Sequence, residues 1–104
     1  MKKMFIIPAV LTLLAGCSGH TTSMQDVRSY CRSVTTEVEC DGQDSICAEY
    51  SEVTLRSYAS VKECRQSCEQ VRQNSAKQFS LQTCQALYQA VEGKCNEFCD
   101  DNYK

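Results

Sequence analysis

Apolar side chains follow two different periods along this chain. From Met4 to Leu14 they form one continuous run of eleven residues with Thr12 as its single polar member. A permanent membrane-crossing helix needs about twenty apolar residues, so this run is the length of a cleaved export segment. Further on, the spacing becomes helical. Met24, Val27, Cys31, Val34 and Val38 recur in steps of three and four, which predicts a helix opened by Ser23 with Asp26 completing a near capping box. Thr35-Thr36 weakens its end and Asp41-Gly42 marks a turn. A second helix is marked by the capping box Ser60-Val61-Lys62-Glu63 and the stripe Val61, Cys64, Cys68 and Val71, ending near Asn74-Ser75. The last opens at Ser80 and carries Leu81, Cys84, Tyr88, Val91, Cys95 and Phe98 on one face. Its period passes Gly93 unchanged, which predicts one long helix at a cost of about 1 kcal/mol relative to Ala.

The stretch from Ser45 to Tyr58 carries two signals. Ile46, Tyr50 and Val53 have helical spacing, whereas Glu52-Val53-Thr54-Leu55-Arg56 alternates as a strand does. The expected fold is therefore mainly α, a small disulfide-stapled bundle of three to four helices, with a short strand or β-hairpin between Val34 and Arg56 left open. The nine Gln, and the presence of only Gly42 and Gly93 as breakers after Gly19, favour the helical reading.

Before the apolar run stands Met1-Lys2-Lys3, and after it Leu14-Ala15-Gly16-Cys17. This combination resembles the bacterial lipoprotein signal, whose lipobox is Leu, a small residue, Gly or Ala, then Cys. The resemblance implies a signal peptide over residues 1–16, a diacylglycerol thioether on Cys17, cleavage before Cys17 and palmitate-class acylation of the new amino terminus. Residues 17–23 then form a lipidated tether and residues 24–104 a single cysteine-rich domain. Each buried methylene contributes about 0.8 kcal/mol, so two or three chains hold permanently where one holds marginally. An Asp after the lipidated cysteine commonly retains Gram-negative lipoproteins in the inner membrane. Ser18 stands there instead, which points to the outer membrane of such a cell. The expected location is membrane-anchored, facing the periplasm or the cell surface.

Composition sharpens this picture. The 88 residues from Cys17 onward lack Trp, and a domain of this size has too little apolar core to be secure without staples. Removing Cys17 from the count leaves Cys31, Cys40, Cys47, Cys64, Cys68, Cys84, Cys95 and Cys99. Eight is even and the exported compartment is oxidising, so four disulfides are expected. Five of these cysteines lie on predicted helix stripes and so face the core.

Cys64 and Cys68, like Cys95 and Cys99, stand one helical turn apart. Side chains four residues apart point alike, so bonds between helices suit them better than bonds within a pair. The twin Cys-x-x-x-Cys motifs resemble helical-hairpin folds, a resemblance that implies Cys64–Cys99 and Cys68–Cys95. Residues 58–68 are also similar to the C-terminal helix of Kunitz-type inhibitor domains, which would place Cys47 on a strand bonded to Cys64. Repeated Cys-x-x-x-Cys helices resemble copper storage bundles as well, implying Cu(I) held by reduced thiolates.

Catalysis is not expected. The single His, His20, lies in the tether, leaving Ser or Cys nucleophiles without their usual base. Cys-x-x-Cys, the thioredoxin-type motif, does not occur. No cofactor or metal site is expected, and Asp100-Asp101 reads as a solvated tail. Thirteen acids against nine bases after Lys2 and Lys3 give a net charge of −4, which disfavours nucleic acid as a partner. The charge is uneven. Six acids (Glu37, Glu39, Asp41, Asp44, Glu49, Glu52) and no base fall between Ser33 and Leu55.

The function expected from the sequence is an envelope lipoprotein held in the bilayer by acylated Cys17, whose stapled domain binds a protein partner or serves a structural role. One alternative is a thiol-based Cu(I)-binding lipoprotein. Another is an inhibitor of a wall-degrading enzyme or protease, in which the acidic stretch meets a basic target.

Overall fold

The computed structural model describes residues 21–35, 39–79 and 82–103. The export segment, Cys17 with its lipobox, His20, Glu37, Val38, Ser80 and Leu81 lie outside the described residues. Four helices make up the described chain: α1 (Met24–Ser33), α2 (Gln43–Leu55), α3 (Val61–Gln78) and α4 (Gln82–Asn102). They alternate in direction. α2 and α4 each pack against all three other helices, whereas α1 and α3 do not meet. The bundle is thus a rhombus with α2 and α4 on its short diagonal, a stapled helical bundle as expected.

The expected starts are realised with one shift. Ser23 Oγ accepts from Asp26 N–H and Asp26 Oδ2 accepts from Ser23 N–H, a full capping box. At α3, Ser60 Oγ accepts from Glu63 N–H, but the Glu63 carboxylate reaches one residue further back, to Ala59 N–H at 2.9 Å. Asn74 and Ser75 do not end α3, which continues to Gln78, because Ser75 faces the core and is fully buried. α4 runs unbroken through Gly93.

The strand left open between Val34 and Arg56 is corrected. Residues 43–55 are α-helical, and no strand occurs among the described residues. The local alternation misleads because a strand would turn Val53 and Leu55 to the same face, whereas Val53 is buried and Leu55 is 60% exposed. Ile46, Cys47, Tyr50, Val53 and Thr54 are the buried set, a wide helical arc that suits a helix with three neighbours. Gly42 opens α2 without a side-chain cap. A Cβ at this position would collide with the Phe79 ring, so the absence of a side chain lets Phe79, at the end of α3, pack over the start of α2.

The Gln43 side-chain amide donates to Cys31 O at 3.0 Å and to Val34 O at 3.1 Å, contacts that no local sequence signal marks. These bonds satisfy carbonyls that the end of α1 leaves without a helical partner. Tyr50, fully buried, donates its hydroxyl to Tyr88 O at 2.8 Å, joining α2 to α4. Burial raises its titration well above the ordinary tyrosine range.

Among the described residues, one buried hydroxyl has no partner. Ser75 Oγ, on α3, lies in the core without a hydrogen bond. A buried unsatisfied hydroxyl costs about 1–3 kcal/mol, and Ala is the better helix former. Ser75→Ala is therefore expected to raise the urea midpoint at unchanged m-value, by about 1 kcal/mol of stability. A lower midpoint would show that the hydroxyl is bound in the native protein.

Candidate functional site

Two features could carry function here: the cystine framework, and the junction where the chain leaves the expected anchor. All eight domain cysteines are paired, as Cys31–Cys47, Cys40–Cys84, Cys64–Cys99 and Cys68–Cys95. The last two agree with the helical-hairpin resemblance. The Kunitz-like pairing is corrected, since Cys47 lies on a helix and bonds Cys31, not Cys64. A helix at residues 61–68 is adequately explained by its cap at Ser60.

The hairpin of α3 and α4 is held in one antiparallel register. Cys64 faces Cys99 and Cys68 faces Cys95, with Cα separations of 5.6 and 5.9 Å. These two cystines stack, Cys68 Sγ lying 3.6 Å from Cys99 Sγ. Ion pairs flank the stack on either side. Arg65 donates both Nε and Nη2 to the Asp100 carboxylate at 2.8 Å, and Arg72 Nε lies 2.9 Å from Glu92 Oε1. Asp100 is thus no free tail but a half-exposed partner of α3. The Arg65 hydrogen bonds hold its carboxyl below the ordinary range.

On the other side of α4, Cys31–Cys47 joins α1 to α2, and Cys40–Cys84 fastens the α1–α2 connection to the first turn of α4. All eight sulfur-bearing residues are buried, with exposures of 5% or less.

The junction is made by Thr22, which the sequence reading assigns to the tether. It is only 2% exposed. Its N–H donates to Asp101 Oδ2 at 2.8 Å, its Oγ1 to Glu97 Oε1 at 3.2 Å, and its carbonyl accepts from Asn102 Nδ2 at 2.8 Å. Asn102 also donates to Phe98 O at 2.9 Å. The last two turns of α4 therefore grip the chain one residue before the cap of α1. Sequence reading missed this contact because its partners are nearly 80 positions apart, at |i−j| of 75 to 80. Asp100-Asp101 was the available signal.

The acidic stretch is divided. Glu39, Asp41 and Asp44 are exposed around the start of α2, at the end of the bundle opposite Thr22, whereas Glu49 and Glu52 lie further along α2. Between α2 and α3, Glu49, Glu52, Arg56, Ser67, Gln70 and Asn74 line a small polar cleft of about 130 Å³. Among the described residues no three His, Cys, Asp or Glu side chains are grouped to hold a metal ion, and no helix is long and apolar enough to cross a membrane.

The chain matches no protein-family model, no curated protein and no solved structure.

Two outcomes are expected from this geometry. Cys40–Cys84 closes 44 residues, so in the chain-entropy treatment its replacement by an Ala pair costs about 4 kcal/mol. Cys68–Cys95 lies inside the loop already closed by Cys64–Cys99. With the outer bond in place the inner one closes a far shorter circuit, and its removal costs about 2.5 kcal/mol. Urea unfolding under non-reducing conditions should rank the two variants in that order, and the reverse order would contradict the nested framework. The second outcome concerns pH. Asp100 has a lower pKa folded than its unfolded value of about 3.9, so its contribution is fully present above that pH and lost as pH falls through the lower folded value. The stability difference between wild type and Asp100→Asn should therefore be largest near neutrality and vanish in strong acid.

Proposed function

We propose that this protein is an exported lipoprotein, fixed to the envelope through acylated Cys17, whose stapled domain acts by binding or by structural support. The observation that carries the proposal is the cystine set. Four bonds among eight buried cysteines suit an oxidising compartment, the destination to which a lipobox directs a chain. The remaining cysteine, Cys17, is the one that the motif assigns to lipid.

The same set argues against the Cu(I) alternative. Thiolate ligation needs reduced sulfur, and these eight sulfurs are bonded to one another. The exposed acids at the start of α2, away from the tether, offer a protein partner a surface directed away from the membrane. Ser18 favours the outer membrane in a Gram-negative cell.

Expression of the full chain in bacteria with labelled palmitate tests the proposal. The wild type should take up label and sediment with membranes, with a mass showing cleavage before Cys17 and a diacylglycerol on it. Cys17→Ala should lose the label and the membrane association. A variant that still sediments with the envelope would overturn lipid anchoring through Cys17.

A further inference from the structure

We infer that the bundle stands on the membrane by one defined pole, the end at which Thr22 is gripped, with Met24 and Leu55 seated in the interfacial region of the bilayer that holds Cys17. This rests on the lipoprotein reading and adds an orientation and a contact surface to it.

The length of chain sets the first limit. With Thr22 buried against α4, the span from Cys17 to the domain is five residue steps, at most about 18 Å. α4 has 21 residues and is about 31 Å long at 1.5 Å per residue. The tether is thus shorter than the bundle, and the gripped end cannot be the end held away from the lipid.

The second observation is what that end displays. Thr22 lies at the C-terminal end of α4, and Tyr103 just beyond donates to Arg56 O at 3.2 Å, which places the end of α2 at the same pole. Helices α1 and α2 run antiparallel, bonded at Cys31 and Cys47, and this register sets Met24 level with Thr54 and Leu55. Among the described residues the exposed large apolar side chains are Met24 at 42%, Tyr30 at 37% and Leu55 at 60%. Two of the three therefore lie at the tethered pole. Burial of each in an apolar environment is favourable in proportion to its area, and interfacial insertion is the one form of burial that the tether itself supplies.

Charge does not separate the two poles. Asp26, Glu63 and Asp101 accept from backbone N–H groups at this one and Asp100 pairs with Arg65, while Glu39, Asp41 and Asp44 lie at the other, Asp44 paired with Arg32 at 3.3 Å. The orientation therefore follows from the length of the tether and the exposed apolar side chains.

The chain contains no Trp, so single Trp reporters can be read without background. Leu55→Trp and Asp44→Trp both alter exposed side chains. Each acylated full-length variant is reconstituted in phosphatidylcholine vesicles with ordinary or brominated acyl chains, after its circular dichroism is matched to wild type and its lipid verified by intact mass. The Leu55→Trp emission should shift to shorter wavelength and be quenched by the brominated lipid, while the Asp44→Trp emission is unchanged. Acylated Leu55→Trp protein with equal emission in both lipids would overturn the orientation alone, and so would quenching confined to Asp44→Trp. A mass without diacylglycerol would overturn the lipoprotein reading, and the orientation with it.

Discussion

The two stacked cystines between α3 and α4 fix the register on which the rest of the bundle depends. With Cys64 opposite Cys99 and Cys68 opposite Cys95, α4 cannot slide along α3. The bidentate Arg65–Asp100 pair and the Arg72–Glu92 pair then fall into line on either side. Ion pairs as open to solvent as Arg65–Asp100 are worth little alone. Here their geometry is set by the covalent links, so they lose less side-chain freedom on forming. The same register presents Asp101, Asn102 and Glu97 together where Thr22 is bound.

Sulfur also substitutes for bulk. Of the seventeen buried hydrophobic residues among those described, eight are cysteines. The other nine include no Trp and one Leu, a core too small to offset the conformational entropy of the chain by burial alone. Cross-links act on the opposite side of that balance by restricting the unfolded ensemble. They also divide the work by position. The α3–α4 pair sets a helix register, Cys31–Cys47 sets another, and Cys40–Cys84 fastens the chain just before α2 to the first turn of α4. The polar contacts of Gln43 with the end of α1 complete what the cystines position.

Much of this was legible in the sequence where the signal was local. The caps at Ser23 and Ser60, the stripe of α4 through Gly93 and the four-disulfide framework rest on neighbours within a turn or on cysteine count, whereas the twin-motif pairing came only from the resemblance to helical-hairpin folds. α2 was ambiguous for a physical reason: a helix with three packing partners has a broad buried arc, so its periodicity is weak and a local alternation from Glu52 to Arg56 competes with it. Asp100, Asp101 and Thr22 were misread because their partners come from the other end of the chain. A carboxylate at the end of a helix has the same sequence appearance whether it is solvated or holds a distant backbone N–H.

In the proposed lipoprotein, the grip on Thr22 would join the stability of the domain to its placement. A tether of fixed length positions a domain only if its attachment point does not fray. Here that point lies directly before the cap of α1 and against the last two turns of α4, a helix end that would otherwise be the least stable part of the bundle. Cys99, one turn before Tyr103, is bonded to Cys64, so the end of α4 is held by a covalent link within a turn of the residues that bind Thr22. Were the chain anchored through Cys17 as proposed, force on the tether would pass to the α3–α4 hairpin rather than unwind a terminus. The cystines that make a small core sufficient thus also secure the helix end against which Thr22 is held.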